Sequence, residues 1–274
     1  MAQSKGTLII IGGHEDKDGD CQILERVAED VKRLKGNLVL ATVATHLPED
    51  IVREYTAVFR HLGVEKIDAV DVRTRGDGFK DDNIARLHHN SVVFFTGGDQ
   101  LRITSQIGAS PLYQRMIDIF NRGATIVGTS AGAAAIPITM LVSGPGDESA
   151  DSGRLIMAPG LGLLPDIVID SHFAQRGRIG RLLGTVALNP KNLGIGIDED
   201  TAIIVERGQQ FHVMGSGAVY VVDGRGMSYS SLSEQTAEGL ISLYDVKLHV
   251  LGAGDCFDLT TRLPIQRLPV ASEK

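Results

Sequence analysis

Short apolar runs rich in Val and Ile alternate along the chain with longer stretches in which apolar positions recur every three or four residues. Strands buried on both sides by crossover helices have this texture, so the pattern predicts a parallel, doubly wound sheet. Residues 7–11 read as the first strand. Ile23, Leu24, Val27, Val31 and Leu34 then share one stripe amid Glu25, Arg26, Glu29, Asp30 and Lys32, the pattern of an amphipathic helix. Strand-like runs follow at 37–44, 67–72, 91–95, 124–128 and 166–170, with helices predicted from Pro48 to Leu62, Asp82 to His89 and Pro111 to Arg122. Beyond residue 194 the texture changes. Thr201 to Glu206, Gln210 to Met214 and Ala218 to Val222 are short runs punctuated by Arg-Gly and Gly-Ser-Gly, which predicts antiparallel strands added at a sheet edge. The expected fold is an α/β, three-layer α/β/α sandwich with a mainly parallel doubly wound sheet and antiparallel C-terminal edge strands. No linker, low-complexity tract or fixed-period repeat interrupts residues 1–274, so a single domain is expected.

Composition narrows the function classes. Of 274 residues 43% are apolar, with 32 Gly and 9 Pro, values of a folded globular chain. Lys plus Arg total 27 against 34 for Asp plus Glu, a formal charge of −7, which disfavours a generic nucleic-acid binder. Cys21 and Cys256 lack zinc-ligand spacing and read as buried reduced thiols. The apolar start at Leu8 to Ile11 is too short for a signal peptide, and no run approaches the roughly 18 residues of a membrane span. A cytoplasmic protein with no membrane association is expected.

Candidate chemistry centres on Gly128-Thr129-Ser130-Ala131-Gly132, which follows the strand Ala124 to Val127 and runs into Ala133-Ala134-Ala135-Ile136. G-x-S-x-G between a strand and a helix is the context of a nucleophile elbow, where small neighbours admit a tight, strained turn. The Ala131 N–H at the helix start offers one oxyanion donor. The Gly-rich turn Thr96-Gly97-Gly98-Asp99-Gln100 after the run Val92 to Phe95 offers a second, with Gly98 as candidate.

A serine nucleophile needs a base, and eight histidines compete: His14, His46, His61, His88, His89, His172, His212 and His249. His172 follows Asp166 to Asp170, which places it past the carboxyl end of a predicted strand, on the same edge of a parallel sheet as Ser130. His212 and His249 fall inside strand-like runs. Arg176, Arg178 and Arg181 stand beside His172, and each guanidinium is a planar fork suited to carboxylates. The acid that orients the base is open among Asp198, Glu199 and Asp200. Asp16-Lys17-Asp18-Gly19-Asp20 begins like an EF-hand loop, but Cys21 and Val27 occupy the sixth and twelfth positions. No dinucleotide or P-loop fingerprint occurs, so neither a metal nor another cofactor is expected.

Taken together these segments resemble cyanophycinases, relatives of peptidase E among the serine peptidases. The resemblance spans nearly the whole chain: Gly6 to Glu15, Phe95 to Gln100, Gly128 to Ala133, His172 to Arg181 and Gly196 to Ala202. It implies Ser130 as nucleophile, His172 as base and then acid, and Glu199 as the orienting acid. It also implies that Gln100, Asp170, Ser171, Arg176, Arg178 and Arg181 bind substrate. One position departs from the family, because Ser171 stands where Gln is expected between Asp170 and His172.

The substrate implied is cyanophycin, a poly-aspartate backbone bearing arginine on each β-carboxyl group. Asp170 and Gln100 would meet its guanidiniums, and Arg178 and Arg181 its free carboxylates. Cleavage between backbone aspartates through an acyl-enzyme would release β-Asp-Arg dipeptides, and a homodimer is expected. An aspartyl dipeptidase of the peptidase E type is the alternative. A non-catalytic, amidotransferase-like binding domain is the alternative from another class.

Overall fold

The structure is a computed structural model that describes residues 6–143, 155–233 and 240–265. Five parallel strands form its centre: β1 (Thr7–Ile11), β2 (Leu38–Ala41), β3 (Ile67–Val70), β4 (Val92–Phe95) and β5 (Thr125–Thr129), in the order β1-β5-β4-β2-β3. On the free side of β1 the sheet continues antiparallel through β10 (Thr201–Glu206), β11 (Gln210–Gly215), β16 (Cys256–Asp258) and β17 (Leu263–Ile265). The expected mainly parallel sheet with antiparallel C-terminal strands is what forms.

Helices cover both faces. α1 (Gln22–Leu34) and α2 (Pro48–His61) pack on Ile9, Ile11, Leu38, Leu40, Val92 and Phe94, the odd or even positions that face them. α4 (Gln100–Ile107), α5 (Pro111–Asn121) and the short α6 (Ala131–Ala135) cover the opposite positions, among them Val39, Val93, Phe95 and Ile126. Local chemistry sets the helix ends. α1 carries Glu25 in its first turn and Lys32 and Arg33 in its last, each sign opposing the helix dipole. α5 begins with Pro111, and the Ser110 hydroxyl accepts the Tyr113 N–H at 3.2 Å. The helix expected from Asp82 to His89 shrinks to α3 (Asp81–Ala85). Nothing in the periodicity announced α4, whose cap is the Asp99 carboxylate accepting the Leu101 N–H at 2.8 Å.

Two expectations are corrected. The run after residue 166 forms β8 (Ile167–Ser171), yet it does not join the sheet that holds β5. β8 belongs to a separate four-stranded sheet ordered β15-β12-β9-β8, with β9 (Leu193–Ile197), β12 (Val219–Asp223) and β15 (Lys247–Leu251). Likewise the run at 218–222 leaves the hairpin with β11 and enters that second sheet, antiparallel to β9. The reason is burial. Ile167, Ile169, Ile195, Ile197, Val219 and Val221 merge into one core with Ile203, Val205, Phe211 and Phe257 of the antiparallel wing. The other face of the second sheet takes α7 (Ile179–Leu188) through Leu182, Val186 and Val222. The hairpin β6 (Thr139–Ser143) with β7 (Ile156–Pro159), and the pair β13 (Tyr229–Ser230) with β14 (Leu243–Tyr244), complete the strands.

Candidate active site

Ser130 occupies the turn between β5 and α6 with φ 54° and ψ −110°, a backbone conformation that L-residues rarely adopt. Close approach explains its glycine neighbours. A Cβ on Gly128 would lie 2.8 Å from the Ala133 nitrogen, and one on Gly132 would lie 2.9 Å from Cβ of Phe95. The elbow therefore needs both glycines to let α6 settle against β4 and β5.

The loop leaving β1 ties the two sheets together. The carbonyl of Ile11 accepts the Ser130 N–H at 3.1 Å, that of Gly12 accepts the His172 N–H at 2.8 Å, and that of Gly13 accepts the Asp200 N–H at 2.9 Å. Ser130 ends a strand of the large sheet and His172 follows a strand of the small one, yet both hang from consecutive carbonyls of a third element. Gly13 has φ +101° and passes under the imidazole so closely that a Cβ there would lie 2.6 Å from Nε2 of His172.

Side chains then align. Ser130 Oγ lies 2.8 Å from His172 Nε2, and His172 Nδ1 lies 2.7 Å from Glu199 Oε1. A carboxylate only accepts, so Nδ1 carries the proton and Nε2 is left to accept from the serine hydroxyl. Burial lowers the pKa of His172 below its ordinary value, the Glu199 hydrogen bond opposes this, and Arg176 adds to the lowering. At neutral pH the imidazole is the free base. Burial would raise the Glu199 carboxyl, but hydrogen bonds from His172 and His14 bring it below the ordinary carboxylate value.

Geometry separates the three neighbouring acids that the sequence left open. Asp198 accepts the N–H groups of Ala174 at 2.9 Å and Ala218 at 3.1 Å, and so braces the loops of the second sheet. Asp200 accepts the Asp16 N–H at 2.9 Å and the Ser216 hydroxyl at 2.7 Å. Glu199 reaches the imidazole. Of the remaining histidines, His212 sits in β11 and His249 in β15, away from Ser130.

Two residues without an assigned role from the sequence stand close by. His14 places Nδ1 3.0 Å from Glu199 Oε2. Glu15 is buried and accepts hydroxyl hydrogen bonds from Thr129, at 2.6 Å, and from Tyr55, beneath the elbow. The segment Gly12 to Glu15 belonged to the resemblance, but a contact between positions so far apart in sequence leaves no local signal.

Two cavities meet at Ser130, His172, Gly98 and Arg176. One, of about 180 Å³, is lined by Gln100, Ala131, Asp170, Ser171, Arg178 and Arg181 among others. The second, of about 340 Å³, is lined by His14, Glu15, Lys17, Ile51, Tyr55 and Thr96 among others. A roomier cavity of about 460 Å³ lies at the amino ends of β2, β3 and β4 and contains none of these residues. All the candidate site residues thus border one or both of the two cavities at Ser130 except Glu199, which stands behind His172.

Within the smaller cavity Asp170 is already engaged. Arg181 Nε donates to its Oδ2 at 2.6 Å, Arg181 Nη2 donates to its Oδ1, and Arg178 Nη1 donates to Oδ1 at 3.2 Å. Arg178 Nη1 also donates to the Ser171 carbonyl at 2.5 Å, while its buried Nε has no partner among the described residues. Burial pushes the Arg178 guanidinium down to about 10, with Asp170 opposing, so it stays charged at neutral pH. The Gln100 amide donates to the carbonyls of Leu141 at 3.0 Å and Val142 at 2.9 Å, which leaves its oxygen to offer a ligand. Gly98 has φ +142° and lines both cavities with Ser130, and Ala131, the first residue of α6, lines the smaller one.

His14, His172 and Glu199 are the group of described residues whose ligand atoms lie within 4.8 Å of one another, as a metal ion would need. Their spacings of 2.7 and 3.0 Å are those of hydrogen bonds, and both Nδ1 atoms are occupied in making them. The acidic loop that begins like an EF-hand is closed on itself: Asp16 accepts from the N–H groups of Asp18 at 3.1 Å, Gly19 at 2.9 Å and Cys21 at 2.9 Å. Among the described residues no helix is long and apolar enough to cross a membrane.

Comparison with known proteins agrees with this architecture. Cyanophycinase of Synechococcus elongatus is 36% identical over 258 residues, which are 94% of this chain and 80% of the relative. Cyanophycinase of Geminocystis herdmanii is 34% identical over 262 residues, 95% of this chain and 96% of the relative. Among solved structures, a peptidase from an acI-B1 Actinobacterium superposes with a TM-score of 0.68 at 19% identity, over 94% of this chain and 98% of that one, a likeness of fold. The model of peptidase family S51 matches residues 8–214. With that match over most of its length and relatives at this identity, the chain belongs to peptidase family S51.

Proposed function

We propose that this chain is a cyanophycinase: a serine-type hydrolase that cleaves the poly-aspartate backbone of cyanophycin and releases β-Asp-Arg dipeptides. The observation that carries the chemistry is the alignment of Ser130 Oγ, His172 and Glu199 at 2.8 and 2.7 Å beside an arginine-lined cavity. The relatives that bear the name cyanophycinase support the substrate.

The steps follow from the geometry. His172 Nε2 takes the Ser130 proton as Oγ bonds to the backbone carbonyl carbon between two aspartates. The oxyanion that forms is met by N–H groups at Ala131 and Gly98. Collapse breaks the C–N bond, and His172 returns its proton to the departing amine. A water then loses a proton to His172 as it adds to the ester carbon, the bond from that carbon to Oγ breaks, and His172 returns the proton to Ser130.

Substrate recognition follows from charge. Asp170 is buried and shared by two guanidiniums, so its part is to aim Arg178 and Arg181 rather than to receive an arginine. Those forks, with Arg176, suit the α-carboxylates that project along a cyanophycin chain, and the unpaired Arg178 Nε is one donor waiting for such a partner. The Gln100 oxygen remains for a guanidinium.

The test is incubation of the wild type and Ser130→Ala with insoluble cyanophycin, with soluble products identified by mass. Clearing to β-Asp-Arg by the wild type alone is expected. Hydrolysis of Asp-X dipeptides without clearing would overturn the reading in favour of an aspartyl dipeptidase.

A further inference from the structure

Glu199 has two carboxylate oxygens, and His172 uses one. The other, Oε2, is met by Nδ1 of His14 at 3.0 Å. The two imidazoles stand edge to face, with centroids 5.3 Å apart and planes at 84°. His14 therefore touches the acid and flanks the base without reaching the nucleophile.

The cost of holding His14 there argues against packing as its purpose. Its side chain is 75% exposed, so little apolar area is buried by it. Its backbone has φ 46°, a left-handed conformation that is strained outside glycine. What the residue gains is one hydrogen bond to a carboxylate that stays 26% exposed with His14 in place and can turn about its terminal bond. A carboxylate held at one oxygen can rotate away from the imidazole. One held at both cannot.

We propose that His14 is a positioning residue that locks the Glu199 carboxylate in the plane of the His172 imidazole and so keeps the base in its productive tautomer. This rests on the catalytic reading of Ser130, His172 and Glu199 given above. The charged and titratable groups around the pair are Glu199 from the turn after β9, Arg176 from the turn after His172, and Lys17, Glu15 and Tyr55 bordering the same cavity. His14 Nδ1 donates to Glu199. The His14 charge is also among the causes that hold the His172 pKa down, since it opposes formation of the imidazolium.

The experiment follows the rate at which a fluorophosphonate labels Ser130 across pH, in wild type, His14→Ala and His14→Asn, alongside kcat and KM on cyanophycin. Labelling reports activation of the serine whatever the natural substrate. His14→Ala is expected to slow labelling by about 10- to 100-fold, the usual effect of removing a group that orients a functional ligand. Its kcat falls in step and its KM is unchanged. His14→Asn, whose amide reaches the same oxygen, restores the rate to within about threefold and moves the acid limb to higher pH, because it supplies the donor without the charge. Wild-type labelling rates in His14→Ala would overturn the proposal. So would a loss that Asn does not repair, since that would make the loop and not the hydrogen bond responsible. A wild type that fails to label at all would instead bring down the catalytic reading, and this proposal with it.

Discussion

The backbone N–H of His172 donates to the carbonyl of Gly12 at 2.8 Å. The proposed base is thereby fixed by a loop that belongs to neither its own strand nor the strand that leads into Ser130. Position errors at this junction translate directly into the gap between Ser130 Oγ and Nε2.

Gly13→Ala tests that dependence. The new methyl would lie 2.6 Å from Nε2 of His172, and φ +101° adds backbone strain. The imidazole must move, and a shift of about 1 Å costs on the order of 100-fold in rate. Labelling of Ser130 by a fluorophosphonate should slow by at least that factor, and a wild-type rate would contradict the account.

Ser130→Ala should remain folded. The hydroxyl makes its hydrogen bond to His172 and supports no core packing, so stability should change by less than about 1 kcal/mol. Turnover of cyanophycin should fall by roughly 10,000-fold or more. A collapse of the urea midpoint would show that the hydroxyl has a structural part.

The pH profile has a definite sign. His172 must be neutral to accept the serine proton, and burial holds its pKa below 6.5. kcat/KM should therefore be flat through neutrality and fall only as the pH drops through that lowered value. Glu199→Gln removes the opposing hydrogen-bonded charge, which lowers His172 further, and the acid limb should move to still lower pH while the plateau drops by about 100- to 10,000-fold. An acid limb above 6.5 in the wild type would contradict this.

Arg178 and Arg181 should part company. Arg181 makes the two-pronged contact with Asp170, whose carboxylate is 1% exposed. Arg181→Ala leaves that buried charge with one partner and should destabilise the fold by about 3–5 kcal/mol by urea titration. Arg178→Ala leaves Asp170 paired with Arg181, so stability should change less and KM for cyanophycin should rise with kcat little altered. Equal stability losses would contradict the division of roles.

Much of the candidate site was readable from sequence because its signals are local. The elbow announces itself through Gly128, Ser130 and Gly132 between an apolar run and three alanines. The Val and Ile runs gave the parallel strands β1 to β5 and the edge strands β10 and β11. Partner choice was not readable. β8 and β12 have the composition of strands from any sheet, and their placement in a second sheet depends on a core shared with Phe211 and Phe257 across long separations. The same limit hid the bond from His14 to Glu199, 185 positions apart by their numbers, and the pairing of Asp170 with Arg178 and Arg181, which sequence reading had set to opposite tasks.

Ile11, Gly12 and Gly13 offer their carbonyls to residues 130, 172 and 200 in turn. Strand β1 and the two residues after it are thus the reference for groups that lie more than a hundred positions further along the chain. Until residue 200 docks on Gly13, the turn that carries Glu199 lacks its anchor on this loop, and the line of Ser130, His172 and Glu199 is incomplete. The same wiring acts in reverse: detachment of Gly12 and Gly13 would free the backbone at residues 172 and 200 together, while Ile11 in β1 still held Ser130.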